Sequence, residues 1–249
     1  MLCIIDARTG DSVAAAPARR GLTRVEAHAS GDDTGALRVL LVADVLVRVL
    51  ELDGTPVLAS LAGGREPAKL RVAATALGIR PFEEARDLGD GVRVGVGVGG
   101  AQALHVVRKG AQTPDGIRIG VGPVLTAASA EREAEADPAV LRLALLSHRH
   151  GDPVALDAAA LGAARETLVR WRGAVADWAR RPSRPVPDEV RGRLRTAWED
   201  DLDVPEVLRV LRQVEEPDPH LRDGARFETY AYADRLLGLE LTRDVGAPE

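Results

Sequence analysis

The sequence predicts an α/β domain with a parallel sheet, followed by an all-helical domain. In the first half, apolar runs of strand length alternate with segments whose apolar residues recur at helical spacing. That order is typical of parallel strands joined by crossover helices. After residue 137 the periodic segments have helical spacing only. We therefore place the change of architecture at the segment Asp137 to Asp157.

The elements of the first half follow from local patterns. Leu2 to Ile5 is a short apolar run that predicts a strand, and residues 14–34 are typical of a loop that ends in turn formers and helix caps. Apolar residues from Val39 to Leu50 predict an amphipathic helix that stops near Asp53-Gly54. The other predicted elements are strands at Pro56 to Leu61, Val92 to Val98, Leu104 to Val107 and Ile117 to Val121, and helices at Pro67 to Leu77 and Thr126 to Glu135.

The second half begins with a capped helix. Asp137-Pro138 combines a side chain that can cap free amides with a proline suited to the first turn. Gly151-Asp152-Pro153 then breaks the helix. The remaining segments predict helices over 158–180, 188–200, 205–215 and 221–237, with a proline-rich linker at 181–187.

Length, net charge and cysteine content exclude several classes of protein. A chain of 249 residues can form one large domain or two ordinary ones, and its net charge of -5 disfavours strong nonspecific binding to nucleic acid. The single cysteine, Cys3, excludes an internal disulfide and any cysteine-rich zinc site, which suits the reducing cytoplasm. Because the N-terminus has neither a basic leader nor a long apolar run, we expect a cytoplasmic protein without a membrane span.

Several segments occur in the order found in one enzyme family. Asp137 to Asp157 reads DPAVLRLALLSHRHGDPVALD, an Asp-Pro-led helix that runs into Leu-Leu-Ser-His. Trp198 to Leu208 contains Asp-Asp-Leu-Asp-Val-Pro-Glu-Val-Leu, and Ala233 to Leu239 ends in Leu-Gly-Leu. With Ile5 to Gly10 and residues 36–57 near the front, these segments resemble class I cysteinyl-tRNA synthetases.

The resemblance implies an architecture. Residues 1–136 would form the Rossmann-like parallel sheet of class I aminoacyl-tRNA synthetases. Residues 137–249 would form a helical bundle similar to the stem-contact and anticodon-binding parts of the family. We expect a shortened paralogue, with the family's large insertion between the sheet halves trimmed and nothing after the bundle.

The first phosphate-binding loop of the family departs from its pattern here. Such synthetases activate an amino acid by attack of its carboxylate on the α-phosphate of ATP, which requires cations and amide donors around the phosphates. The resemblance implies a His-Ile-Gly-His-type loop before the first long helix, where this chain has HASGDDTG at residues 28–35. This segment is either a capped helix start or an altered site in which magnesium relieves the repulsion from the aspartates. Its candidate ligand residues are His28, Ser30, Asp32 and Thr34.

The second loop also departs from the family. The resemblance implies a Lys-Met-Ser-Lys-Ser loop, and the best match is Asp115 to Gly122. Arg118 can stand for one lysine and is the candidate phosphate contact. The second lysine is replaced by an aliphatic residue or glycine, and Lys109 lies too far upstream to replace it.

We expect no zinc. The family holds cysteine on a zinc ion with two Cys ligands, a His and a Glu, and Cys3 matches neither cysteine position. His148-x-His150 with Asp152 could ligate a metal, but the family has polar residues there as part of its fold, so we favour a structural role.

A glycine-rich stretch offers a second nucleotide hypothesis. Gly95-x-Gly97-x-x-Gly100 matches the dinucleotide fingerprint, but the residues from Gln102 onward favour a strand where that motif needs a helix. In the family, glycines near this place line the adenosine pocket. The resemblance therefore makes Gly97, Gly99 and Gly100 candidates for nucleotide contact.

These observations favour a degenerate synthetase-like protein that does not charge tRNA with cysteine. It would keep a pocket for ATP with magnesium, or for another small molecule, and act in binding or regulation with a protein partner. The alternative is an ATP-dependent ligase that activates an amino acid or another carboxylate as an adenylate, with Arg118 as the phosphate clamp. A third hypothesis is an RNA or protein binder that uses Trp171 and Trp178 beside a run of arginines. Binding of tRNA, and enzymatic activity itself, stay open.

Overall fold

The computed structural model describes residues 1–16, 22–62, 67–84, 103–112, 115–127 and 137–247. Within these residues the chain divides into two compact units. Unit 1 comprises Met1–Leu125, His150–Val154 and Asp200–Leu202. Unit 2 comprises Thr126–Arg149, Ala155–Glu199 and Asp203–Glu249.

Unit 1 is built on a parallel sheet. Its strands are β3 (Thr23–His28), β4 (Val57–Leu61), β5 (Glu83–Glu84), β6 (Ala103–Arg108) and β7 (Ile117–Val121), in the order β5-β4-β3-β6-β7. All neighbouring pairs are parallel. The parallel sheet with crossover helices confirms the predicted Rossmann-like α/β class.

Helix α1 (Thr34–Leu52) follows the central strand β3 and packs against β3 and β6. It is apolar almost all round, and most of its residues from Ala36 to Leu50 are buried. A shorter helix, α2 (Ala68–Ala76), packs on α1. The helix predicted from Val39 to Leu50 is therefore confirmed, and it begins five residues earlier than its apolar periodicity indicated.

The start of the chain differs from the expectation. β1 (Cys3–Ile5) does not join the parallel sheet, but pairs antiparallel with β2 (Ser12–Ala14). The strand that precedes α1 is β3, inside the stretch 14–34 that we predicted to be a loop. In β3, Thr23, Val25 and Ala27 are buried between polar residues that alternate with them. Only one of the three is a strongly apolar β-former, so the run carries a weak strand signal.

The described residues of unit 2 are mainly helical. They are α3 (Pro138–Leu146), α4 (Ala158–Trp178), α5 (Asp188–Glu199), α6 (Val204–Glu215) and α7 (Asp223–Leu237). Capping agrees with the sequence, because Asp137 accepts a hydrogen bond from the amide of Ala139 at the start of α3. Two short strands, β8 (Val124–Thr126) and β9 (Val154–Leu156), form a separate two-stranded sheet. The predicted strand at 92–98 and most of the helix predicted at 126–135 lie outside the described residues.

One glycine in unit 1 is required by close packing. A Cβ atom on Gly122 would lie 2.1 Å from the main-chain oxygen of Asp152, so the backbone would have to move. We predict that Gly122→Ala destabilises unit 1 by about 2 kcal/mol or more through overpacking. Gly151→Ala is the matched control, because its Cβ would meet Gly120 O at 3.7 Å, an ordinary contact.

The measurement is urea unfolding of both variants. Far-UV circular dichroism follows the whole chain, whereas tryptophan fluorescence reports unit 2, which holds Trp171, Trp178 and Trp198. Gly122→Ala should shift the dichroism transition to lower urea than Gly151→Ala does. Equal transitions for the two variants would show that the close approach is not a constraint in solution.

Candidate functional site

The site lies at the carboxyl edge of the sheet of unit 1, where ligands bind in open parallel sheets. The register aligns His28 with Val107 and Arg108 with Val121, so the ends of β3, β6 and β7 meet at one edge. The sequence-predicted residues His28, Ser30, Asp32 and Thr34 all lie at the end of β3 or between it and α1.

An ion pair covers the N-terminus of α1. Asp33 is the N-cap, and its side chain accepts a hydrogen bond of 2.7 Å from the amide of Ala36. The Arg108 guanidinium pairs with the same carboxylate and donates to Ser30 O at 3.0 Å. Burial tends to raise the pKa of Asp33, but the hydrogen bonds from Arg108 and from Ala36 outweigh it and lower the pKa. Asp33 and Arg108 thus form an ion pair at the start of α1, and the carboxylate stays ionised at neutral pH because its pKa is lowered.

The side chains of the other predicted residues near this cap do not take part in the Asp33–Arg108 ion pair. Asp32 is exposed and lies 3.8 Å from Lys69 Nζ. Thr34 is the first residue of α1, and Ser30 contributes its main-chain oxygen to Arg108. A Cβ on Gly35 would lie 3.2 Å from Arg108 Nη1, so the absence of a side chain there lets the guanidinium lie over the first turn.

Arg38, in the second turn of α1, is buried and bonded to the main chain of two other segments. Its Nη1 donates to Gly122 O at 2.9 Å and to Asp152 O at 2.6 Å. Burial lowers the pKa of Arg38 to about 10, with the Asp152 charge acting in the opposite direction, so the side chain stays cationic at neutral pH. This cation holds carbonyl oxygens of the protein itself. Sequence reasoning did not single it out, because its partners lie 84 and 114 residues away.

The segment that was compared with the second phosphate loop forms β7, an edge strand. Arg118 lies opposite His105 within this strand. Its amide donates to Asp6 Oδ1 at 3.3 Å, and its carbonyl accepts from Ala7 N at 2.8 Å. Lys109 Nζ is 3.5 Å from Gly151 O. The structure thus places Arg118 three residues before the carboxyl edge, and its role as a phosphate contact stays a prediction.

A second group of polar side chains lies on β3 and β6. His28 Nε2 is 3.0 Å from His105 Nδ1, and His105 Nδ1 is 3.4 Å from Glu26 Oε2. These three residues are a group of metal-ligand type within the described residues. The pKa of Glu26 is lowered by its hydrogen bond with His105, and the pKa of His28 is lowered by burial and by the neighbouring His105. Sequence reasoning considered His28 only as a phosphate ligand and missed its two neighbours.

The two histidines of the second pair, His148 and His150, fall in different units. His150 Nε2 is 3.2 Å from Asp201 Oδ2, and its Nδ1 is 3.1 Å from Gly120 O, so both ring nitrogens have partners inside unit 1. His148 is exposed, and Asp152 is bonded to Arg38 through its main-chain oxygen. This geometry agrees with the structural interpretation of His150.

The burial of Trp171 and Trp178 bears on the hypothesis of an RNA or protein binder that uses these side chains. Trp171 is fully buried and Trp178 nearly so, and both rings pack edge-on against Tyr230 within unit 2. Arg170, from the arginine run beside them, pairs with Glu215. The two indoles are core residues with little exposed surface, which argues against the third hypothesis of an RNA or protein binder that uses them.

Two further expectations concern other parts of the chain. The candidate nucleotide contacts Gly97, Gly99 and Gly100 lie outside the described residues. Among the helices of the described ranges, we find none with the length and apolar character that crossing a bilayer requires.

Comparison with known proteins supports the resemblance. No family model matches the chain. An enzyme of Parafrankia sp. named L-cysteine:1D-myo-inositol 2-amino-2-deoxy-alpha-D-glucopyranoside ligase is 52% identical over 76 residues, which are 30% of this chain and 16% of that protein. The chain is similar to L-cysteine ligases.

Proteins of the same name from other organisms agree. The protein from Streptosporangium roseum is 36% identical over 114 residues, or 43% of this chain and 26% of the relative. The protein from Segniliparus rotundus is 36% identical over 119 residues, or 46% of this chain and 27% of the relative. These matches support a family like the cysteinyl-tRNA synthetases. The chain spans about a quarter or less of the length of these relatives, so their activity is a proposal for it.

The buried Arg38 yields a prediction. Arg38→Met would leave the oxygens of Gly122 and Asp152 without this donor in a buried setting, at a cost of roughly 2 kcal/mol or more. Lys69→Met removes the same charge from an exposed position and should change the free energy of unfolding by less than about 0.5 kcal/mol. Urea unfolding followed by circular dichroism makes the comparison. Equal stability of the two variants would show that Arg38 does not tether these segments.

Proposed function

We propose that this chain is a ligase-like protein that retains the α/β scaffold of cysteine ligases but does not catalyse adenylation, and that it acts by binding. The observation that carries this proposal is the Asp33–Arg108 ion pair at the N-terminus of α1. Adenylation by class I enzymes brings the ATP phosphates to the start of this helix. In this chain the Asp33 carboxylate lies at the start of α1, paired with Arg108.

The balance of charge supports the proposal. A helix N-terminus stabilises an anion by about 0.3–1 kcal/mol. A fixed carboxylate at about 4 Å from a phosphate charge opposes it by about 1 kcal/mol in water and about 4 kcal/mol at an effective dielectric constant of 20. Asp33 also compensates the charge of Arg108 and accepts from the amide of Ala36. The Arg108 charge that would attract a phosphate is therefore largely neutralised by Asp33, and the helix N-terminus by itself offers at most about 1 kcal/mol.

The position of the second segment also supports the proposal. Adenylation needs preorganised cations around the transition state. Arg118 lies within an edge strand whose main chain is bonded to Asp6 and Ala7, and Lys109 lies beside Gly151 O. Among the described residues of 28–35 and 115–122, Arg118 is the one basic residue apart from His28.

We predict no pyrophosphate exchange with cysteine. The assay combines the chain with ATP, magnesium, L-cysteine and labelled pyrophosphate, with a cysteine ligase of the Parafrankia type as positive control. The expected exchange equals that of a reaction without protein, because, within the described residues, Arg108 is paired with Asp33 and Arg118 lies inside β7. Robust cysteine-dependent exchange would contradict the proposal.

We predict that Asp33→Ser improves binding of polyphosphate. Serine keeps the N-cap hydrogen bond, whereas loss of the carboxylate leaves Arg108 and the helix amides for an anion. The variant should bind ATP or tripolyphosphate about tenfold or more tightly than the unmodified chain, seen as a larger rise in melting temperature.

Asp32→Ser is the matched control for this change. It removes the same charge one residue earlier, from an exposed side chain that pairs with Lys69 and not with Arg108. Its response to polyphosphate should equal that of the unmodified chain. Equal responses of the two serine variants would show that the ion pair does not block an anion site.

The second candidate function is an ATP-dependent ligase for an amino acid or another carboxylate. The observation that favours it is the 52% identity to a cysteine ligase over 76 residues. In this case Arg118 would contact the phosphates, with Ser30 and Thr34 assisting. Millimolar ATP with magnesium would then stabilise the unmodified chain, and exchange would occur with some carboxylate other than cysteine. An unchanged melting temperature with ATP and magnesium argues against the ligase.

A further inference from the structure

We propose that Glu26, His28 and His105 form a binding site for a single divalent transition-metal ion, of which Zn²⁺ is the best match. This inference does not depend on the proposed function. It departs from the expectation of no zinc, which concerned the cysteine ligands of the family. The site proposed here contains no cysteine.

The sheet brings the three ligand atoms together. Glu26 and His28 are two residues apart on β3 and therefore project from the same face. His105 lies directly opposite Glu26 on β6. The separations are 3.0 Å between His28 Nε2 and His105 Nδ1, and 3.4 Å between His105 Nδ1 and Glu26 Oε2. Ligands about 2.0–2.1 Å from a tetrahedral zinc ion are about 3.3 Å apart, so little movement is needed to bind one.

The hydrogen bonds orient the His105 ring for a cation. His105 Nε2 is 3.3 Å from the main-chain oxygen of Asp115, which can only accept, so Nε2 carries the hydrogen in that contact. In the tautomer with the hydrogen on Nε2, the Nδ1 lone pair points toward His28 Nε2 and Glu26 Oε2, where a bound cation would lie. Donation of the second ring N–H to a carbonyl is the arrangement typical of metal-bound histidine.

The surroundings support each ligand. Arg24 Nη2 is 2.6 Å from Glu26 Oε1. The other carboxylate oxygen, Oε2, faces the His105 ring. The His105 side chain is 2% exposed and that of Glu26 17%, whereas His28 is half-buried. A Cβ on Gly116 would lie 2.7 Å from the His105 ring, so glycine there lets the ring occupy its place. The ligands are thus largely withdrawn from water, with His28 on the accessible side.

The donor set selects the ion. Two imidazole nitrogens and one carboxylate oxygen suit Zn²⁺ or Co²⁺ better than Mg²⁺ or Ca²⁺, which prefer oxygen ligands. Three protein ligands leave one tetrahedral position for water or a small anionic ligand. The site is therefore of the open type.

The test is metal titration of the untagged full chain after removal of metal with a chelator. Competition with a chromophoric zinc indicator should give one Zn²⁺ per chain with a Kd at or below micromolar, and Co²⁺ should give the visible absorption of a tetrahedral complex. His28→Ala should weaken binding about 100-fold, and Glu26→Gln about tenfold or more. His28 is half-buried, so its variant tests the site even where a change at the buried His105 prevents folding.

His148→Ala and His220→Ala are the matched controls, because both side chains are exposed and belong to unit 2, whereas the three proposed ligands belong to unit 1. Both should bind Zn²⁺ as the unmodified chain does. Absence of binding at 100 μM Zn²⁺ would overturn the proposal. So would binding that survives His28→Ala in a folded protein, or binding that is lost with His148.

Discussion

The parallel pairing of β3 with β6 is the constraint on which the described site depends. This register sets Glu26 opposite His105 and His28 opposite Val107. It also fixes where β3 ends, and therefore where α1 begins with its Asp33 cap. Arg108 follows Val107 at the end of β6, and so it reaches the start of that helix. A shift of one residue in this register would turn the side chains of the shifted strand to the other face of the sheet and separate Glu26 from His105.

Similarity of the fold and the partners of the charged side chains near the start of α1 are two separate observations. Similarity to L-cysteine ligases over as much as 46% of this chain makes a common framework the natural interpretation. Catalysis of adenylation depends, however, on a few cations that meet developing charge. In this chain Arg38 holds main-chain oxygens, and Arg108 holds the Asp33 carboxylate. Both arginines near the start of α1 are therefore engaged in bonds within the protein.

Much of the fold could be predicted because it depends on local periodicity. The helix through Leu50, the strand ending at Leu61, the strand Ile117–Val121 and the capped start at Asp137 were all predicted close to their observed bounds. Strand β3 was missed, since its polar residues break an apolar run that is short and weak. The site was predicted in part: His28 was singled out, but His105 is 77 residues away and has no local signal of its own.

The sequence by itself determined the α/β class, the helical second half and the lack of a cysteine-rich metal site, because these depend on spacing and composition along the chain. Only the tertiary structure decided which charges meet. Asp33 and Arg108 are 75 residues apart, yet they share one carboxylate–guanidinium contact at the start of α1. Their meeting follows from the hydrogen-bonded register of two parallel strands, which no short stretch of sequence encodes.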